Sequence, residues 1–424
     1  MPIRSIEALD PAHRHAHTPA NLTPNHQFYE WWYFEVEFVD NFGKPWRVIT
    51  SFHYPHGMDS HRVLAHQRYR NRKVDFFAKY GDDPGHYAGI ASYVVDIQDS
   101  KNVGLLISRV PRAEIGSRVA VSRPGDPKVE VRIGDSSFVQ NPNGTFTLTV
   151  KQKGMAIVGA TPRALDLDMQ VTFEQNTPGF QPPGAVLIEQ TGVRHHWACV
   201  MPNPKVTIDY IVLQRARLHN KWRVLCRAKR DVVGEGGYHD HQWGDDLIYK
   251  QIAQWYWGRL PTGARGDARP RDKVLFFDVV GVSRPGHPAV RPDPVLVQVP
   301  GDGSAAAKLM PTPDRDPFHI SGSESINFGD GCRMGVQGQN VPYPRWIYIR
   351  AQTAGGQSRD FNVEHLRSSN VDTWPFYVRF VPRVYDYHSG KIFDAISEVM
   401  RADRIPLDGA QKVNALADKI TVGA

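Results

Sequence analysis

Gly237-Tyr238-His239-Asp240-His241-Gln242-Trp243-Gly244 is the stretch on which the reading of this chain turns. Extended backbone sends alternate side chains to opposite faces, so His239, His241 and Trp243 share one face while Asp240 and Gln242 share the other. Gly234, Gly236, Gly237 and Gly244 around them permit unusual backbone angles or close approach. A second aromatic stretch, Tyr29-Glu30-Trp31-Trp32-Tyr33-Phe34-Glu35, read as a strand puts Glu30, Trp32 and Phe34 on one face and Trp31, Tyr33 and Glu35 on the other. Both faces are aromatic. Such a strand is either sandwiched between two apolar layers or lines a ligand cavity.

Around these stretches the period-two pattern of half-buried strands recurs. Leu165, Leu167, Met169, Val171 and Phe173 alternate with Asp166, Asp168, Gln170 and Thr172, and similar runs occur at Val129-Val131-Ile133, Val206-Ile208-Tyr210 and Phe376-Val378-Phe380. Phe146-Leu148-Val150 follows a turn at Pro142-Asn143-Gly144. Many short strands joined by Pro/Gly/Asn turns predict a mainly β protein of antiparallel barrels or sandwiches. Helical spacing occurs only near the end, at Ile392, Ile396, Val399 and Met400, with a second candidate after Leu407, so short C-terminal helices are expected to brace a barrel. Pro261 to Asp272 and Arg284 to Pro294 read as long hairpin loops or insertions. No short repeat is present.

The chain has 424 residues, 41% hydrophobic and 22% charged, enough for a large core and more than one domain. The net charge of +7 is dispersed and accompanies no nucleic-acid motif, so it reads as solvated surface. Residues 1–21 lack a signal-like apolar run and no stretch is long enough to span a membrane, which points to a cytoplasmic protein without an integral membrane segment. Cys199, Cys226 and Cys332 are far apart and read as free thiols.

Several groups could carry chemistry. His239 and His241 could meet one metal ion, but two imidazoles need further ligands that the sequence does not identify, so no metal is expected. His195 and His196 are adjacent and point oppositely, so at most one joins a shared cavity. Trp255 and Trp257 place two indoles on one face. Asp278 is the single acid in the apolar run Val274 to Val280. Buried there, it must be paired with a cation or donor, or held protonated; a neutral acid among aromatic walls could protonate a carbon–carbon double bond.

Taken together, Glu30-Trp31-Trp32-Tyr33-Phe34, His196-Trp197 followed by Met201-Pro202, and Gly237 to Gly244 resemble the hydroxyneurosporene synthase (carotenoid 1,2-hydratase) family and its AttH-like relatives. The resemblance runs from about Asn25 to the strand near Phe380. It implies two lipocalin-like β-barrel domains with a ligand site near their junction: an extension at 1–24, one barrel at 25–245 and a second at 246–424. In the hydratases the second histidine and the tryptophan of the corresponding motif matter, which here are His241 and Trp243. A downstream Tyr-x-Asp supplies their proposed proton donor; the best match is Phe276-Phe277-Asp278, with phenylalanine in place of the tyrosine. Gln242 stands where those enzymes commonly have asparagine.

These readings lead to an acid-catalysed hydratase, dehydratase or cyclase for an apolar isoprenoid or polyene, needing no cofactor. Asp278, His241 and Trp243 form the expected catalytic group, and Glu30, Trp32, Phe34, His239, Trp255, Trp257 and Phe276 line the substrate site. A Diels–Alderase-like pericyclase without a proton donor and a non-catalytic carrier of an apolar ligand are the alternatives. The oligomeric state is left open.

Overall fold

The computed structural model describes residues 5–19, 28–54, 88–99, 101–110, 114–158, 161–190, 192–216, 222–229, 234–245, 248, 251–262, 271–283, 288–292, 294–303, 305–310, 318–327, 340–352, 356–374 and 377–401. Among the described residues twenty-eight strands pair antiparallel in three sheets. Sixteen of them, all between Glu7 and Gly244, form one sheet whose central members are Val193–Met201, Gly234–Gly244, Tyr29–Val39, Pro45–His53 and Ala88–Asp96. The sheet rolls around a single core, because Phe34 and Trp32 at one place in its order and Leu148, Leu167, Ile208 and Cys226 farther along it meet in the same buried cluster. Leu165, Leu167, Met169, Val171 and Phe173 all point into that core, as their alternation predicts. In the partner strand Lys205–Ala216 the inward series runs Val206, Ile208, then Ile211 and Leu213: a bulge opposite Gln170/Val171 shifts the phase and turns Tyr210 outward.

The strands between Ile252 and Arg401 make the other two sheets. Seven strands, including Ile252–Thr262, Asp272–Gly281, Ile396–Arg401 and Tyr377–Phe380, face five others across a core containing Tyr256, Phe276, Val399, Phe318, Ile347 and Phe361. The opposite face of the seven-stranded sheet packs on the rolled sheet: Trp255, Trp257, Phe277 and Met400 meet Tyr29, Trp31, Tyr33 and Trp197. The strands Tyr29–Val39 and Asp272–Gly281 are therefore buried on both sides. That explains the two aromatic faces read from the sequence.

The C-terminal helix expected at Ile392 to Met400 is not formed. Lys391–Asp394 and Ile396–Arg401 are strands, the latter inserted between Ile252–Thr262 and Tyr377–Phe380. Ile396 and Met400 enter one core and Val399 the other, so apolar residues on both faces imitate a three-and-four spacing. The candidate after Leu407, Phe376, Cys332 and residues 263–270 of the first long loop lie outside the described residues; the strands flanking that loop pair as a hairpin through Thr262 and Asp272. Among the described residues the α-helix is confined to Ile115–Arg118, and no helix is long and apolar enough to cross a membrane.

Between the layers lies a buried set of charges. Arg47 reaches Glu35 (Nε to Oε1, 2.7 Å) and Glu37 (Nη2 to Oε1, 2.6 Å) and donates through Nη1 to the Ala395 carbonyl at 2.7 Å. Arg259 pairs with both glutamates, Arg271 with Glu37 at 2.9 Å, and Lys273 donates to the Gly237 carbonyl at 2.8 Å. Burial alone would raise the Glu37 carboxyl, but Arg47, Arg259 and Arg271 outweigh it and hold it well below the usual range. Removing one member of such a set leaves buried charge unpaired. Glu37→Gln is accordingly expected to cost about 3–5 kcal/mol of stability, read as a lower urea midpoint.

Candidate functional site

Register fixes what the motif presents. In the pairing of Gly234–Gly244 with Tyr29–Val39, His241 lies opposite Trp32, His239 opposite Phe34, Asp240 opposite Tyr33 and Gln242 opposite Trp31. Even-numbered aromatic residues and odd-numbered histidines thus face the rolled sheet's interior, while Trp31, Tyr33, Asp240 and Gln242 face the seven-stranded sheet. The closing glycine is needed locally: a Cβ on Gly244 would collide with the Tyr29 ring.

The inward group is tightly filled. The His239 ring stacks on Phe34 with centroids 4.2 Å apart and Nδ1–H donates to the Tyr33 carbonyl (3.0 Å); burial pushes this histidine down to about 3, so it is neutral. His241 stacks on Trp32 (4.8 Å) and faces two acceptors, the His13 carbonyl at Nδ1 (2.7 Å) and Glu30 at Nε2 (2.8 Å). With a carbonyl on one nitrogen and a carboxyl on the other, a proton must lie in the Nε2–Oε1 contact. Glu30 also accepts from the backbone N–H groups of His17 (2.6 Å) and Thr18 (3.0 Å) and from the Thr18 hydroxyl. Residues 10–18 are thereby strapped across the motif. His17 and His13 lie against Trp243 on this side (4.0 and 4.9 Å), and His196 stacks parallel to it at 4.9 Å. His241 and Trp243 thus hold the strap, and the signal that would have revealed it in the sequence is the alternating His13, His15, His17.

The outward group borders open space. A cavity of about 40 Å³, roughly two or three waters, is lined by Trp31, Tyr33, Asp240, Gln242, Trp255, Trp257 and, from the C-terminal strands, Tyr377, Arg379 and Glu398. Burial pushes the Asp240 carboxyl up to about 7, despite hydrogen bonds from the Tyr238 hydroxyl (2.9 Å), the Trp197 indole (3.1 Å) and the Gln242 amide (3.4 Å); Glu398 adds repulsion. Gln242 is itself oriented by His195, whose Nε2 donates to its carbonyl oxygen (3.2 Å) while the Tyr29 hydroxyl donates to Nδ1 (2.5 Å). Burial keeps that imidazole neutral, at about 3. The indole N–H groups of Trp255 and Trp257 are buried and have no hydrogen-bond partner among the described residues; a bond left unmade in this way costs about 1–3 kcal/mol. A larger cleft of about 550 Å³ lies between Ile90, Ser108, Gln152, Lys153 and Asp168 in the rolled sheet; no residue of the motif lines it.

The expected site residues therefore separate into three places. Glu30, Trp32, Phe34, His239, His241 and Trp243 are together inside the rolled sheet, and Trp255 and Trp257 line the small cavity. Asp278 and Phe276 are in neither. Strand alternation turns them to the far core, where Asp278 lies opposite Tyr256 and Phe276 packs on Phe318 at 5.7 Å. The Asp278 carboxylate is paired with Arg291 (Nη2 to Oδ2, 2.9 Å), which is the bland outcome for a lone acid in an apolar strand. Sequence reasoning missed Asp240, although its alternation placed Asp240 away from the histidines, and missed Glu398 because its strand reads as helical. Among the described residues no group of three or more His, Cys, Asp or Glu side chains could hold a metal ion.

No known family's sequence profile matches the chain, and no curated protein matches it. Solved structures do. A Nitrosomonas europaea protein provisionally named AttH is 12% identical, with a TM-score of 0.52 over 94% of this chain and 98% of that one. Kievitone hydratase from Nectria haematococca (9%, TM-score 0.45, 88% of each chain) and CghA (11%, 0.45, 94% and 98%) are also similar. At such identities the likeness is one of fold: the chain has the AttH-like, lipocalin-related β architecture, and nothing in the likeness singles out carotenoid hydratases.

Two measurements check the geometry. Glu30→Gln weakens the charge-assisted bonds that hold the strap, so amide exchange at His17 and Thr18 is expected to rise about tenfold. For Asp240 the folded value, about 7, lies above the ordinary 3.8, so between these pH values the folded state keeps a proton that the unfolded state loses. The contribution of Asp240 to stability then falls as pH rises from about 4 to 7, by on the order of 4 kcal/mol, while the buried neutral histidines His195 and His239 contribute in the opposite sense over the same range. In urea melts the stability of the wild type relative to Asp240→Asn is accordingly expected to fall by that amount between about pH 4 and pH 7, because the histidine contributions are common to both proteins.

Proposed function

We propose that this protein is a cofactor-free acid catalyst, a hydro-lyase or cyclase acting on a small unsaturated molecule, with Asp240 as proton donor in place of Asp278. The single observation that supports it is a buried carboxyl, held near neutrality by desolvation, at the wall of a cavity between indole and phenol rings. Near neutral pH a substantial fraction of such a group carries its proton in a setting that resists ionisation, which suits delivery to an alkene carbon. The proton and the π electrons form the new C–H bond, leaving a carbocation on the adjacent carbon. The aromatic rings of Trp31 and Tyr33 at the cavity wall stabilise it. The Asp240 carboxylate left behind keeps three donors, Tyr238, Trp197 and Gln242, and recovers a proton either from water adding to the cation or from a neighbouring carbon on elimination or ring closure.

The test is turnover of candidate unsaturated substrates in deuterium oxide. Solvent deuterium at a product carbon, lost in Asp240→Asn with the fold retained, is the expected result. Unlabelled product from the wild-type protein would indicate a pericyclic path, and unchanged ligand a carrier. Turnover that survives Asp240→Asn but disappears in Asp278→Asn would return the acid's role to the sequence candidate.

A further inference from the structure

We infer that the molecule entering this cavity carries a neutral acceptor oxygen, a ketone-type carbonyl, at the end that lies between Trp255 and Trp257, and is not a pure hydrocarbon. The inference takes from the proposed function only that the cavity is the substrate site.

Trp255 and Trp257 stand two residues apart on one face of Ile252–Thr262 and are 2% and 3% exposed. An indole N–H can only donate, and neither has a partner among the described residues. The neighbouring Trp197 shows the satisfied case, with Nε1–H on Asp240 at 3.1 Å. The carboxylates at the cavity wall are engaged elsewhere: Asp240 by Tyr238, Trp197 and Gln242, and Glu398 by Arg379 at 2.9 Å. Ser51, His53 and Gln242 also line the space, and neither indole N–H reaches any of them, so among the described residues no acceptor is in place and the role is left to the bound molecule. A hydrocarbon would expel water and leave both donors unmade, whereas one carbonyl oxygen has two lone pairs for two N–H groups. A carboxylate or phosphate is disfavoured, because Asp240 and Glu398 face the same small space and the guanidinium in its lining, Arg379, is already paired with Glu398. The cavity of about 40 Å³ admits a head group of a few heavy atoms, with the remainder of the molecule outside it.

The experiment compares two probes of one shape, cyclohexanone and methylenecyclohexane, by following the indole N–H resonances of the ¹⁵N-labelled full chain, assigned with Trp255→Phe and Trp257→Phe. Cyclohexanone is expected to move both resonances saturably downfield, while the hydrocarbon moves neither, and each phenylalanine variant is expected to weaken ketone binding about tenfold. Tighter or equal binding of the hydrocarbon, or absence of a saturable shift with the ketone, overturns the inference. Should either variant fail to fold, the wild-type resonances alone decide. In Asp240→Asn both indoles remain, so a ketone shift that persists there alongside undiminished deuterium incorporation would sink the acid assignment and leave this inference standing.

Discussion

Burial of one strand pair on both faces governs this molecule. Tyr29–Val39 and Gly234–Gly244 lie in the wall of a rolled sheet whose outer side is covered by a second sheet, so neither strand has a solvent face. A pleated strand offers only two directions, and here each leads to a different interior. The eight-residue motif is thus two interleaved sets: histidines and Trp243 belong to an N-terminal strap, while Asp240 and Gln242 belong to an interlayer cavity. Residues adjacent in sequence need share no task.

The same double burial sets the electrostatics. Glu35 and Glu37 continue the outward row of Trp31 and Tyr33, and with no solvent available they are matched by Arg47, Arg259 and Arg271 from both layers. Asp240, in the same interlayer region, is matched only by neutral donors. That contrast is what separates a carboxyl locked in its charged form from one poised near neutrality. Proximity to guanidinium groups decides the first case, and desolvation decides the second.

The mainly β class, the antiparallel pairing and the inward rows of individual strands were legible in sequence, because alternation and turn chemistry are local. The division of the motif into faces was equally legible. What each face meets was not, since that depends on strands that are distant in sequence: Trp197 reaches Asp240 from a neighbouring strand 43 residues away, and Trp255 approaches Trp31 across the packed sheets from 224 residues away, through contacts that no periodicity records. Asp278 drew attention for the right physical reason, a lone acid in an apolar run, but its partner Arg291 sits in a connection with no pattern of its own. Ile396 to Met400 misled because a strand between two cores has no polar face to betray its period.

That last strand carries a consequence for synthesis of the chain. Ile396–Arg401 occupies the slot between Ile252–Thr262 and Tyr377–Phe380 and contributes Glu398 to the cavity wall. Until it has left the ribosome, two apolar strand edges stand unpaired and the cavity lacks one side. A nascent chain of this protein is therefore most adhesive just before it becomes competent, and its need for chaperone protection is concentrated in that interval.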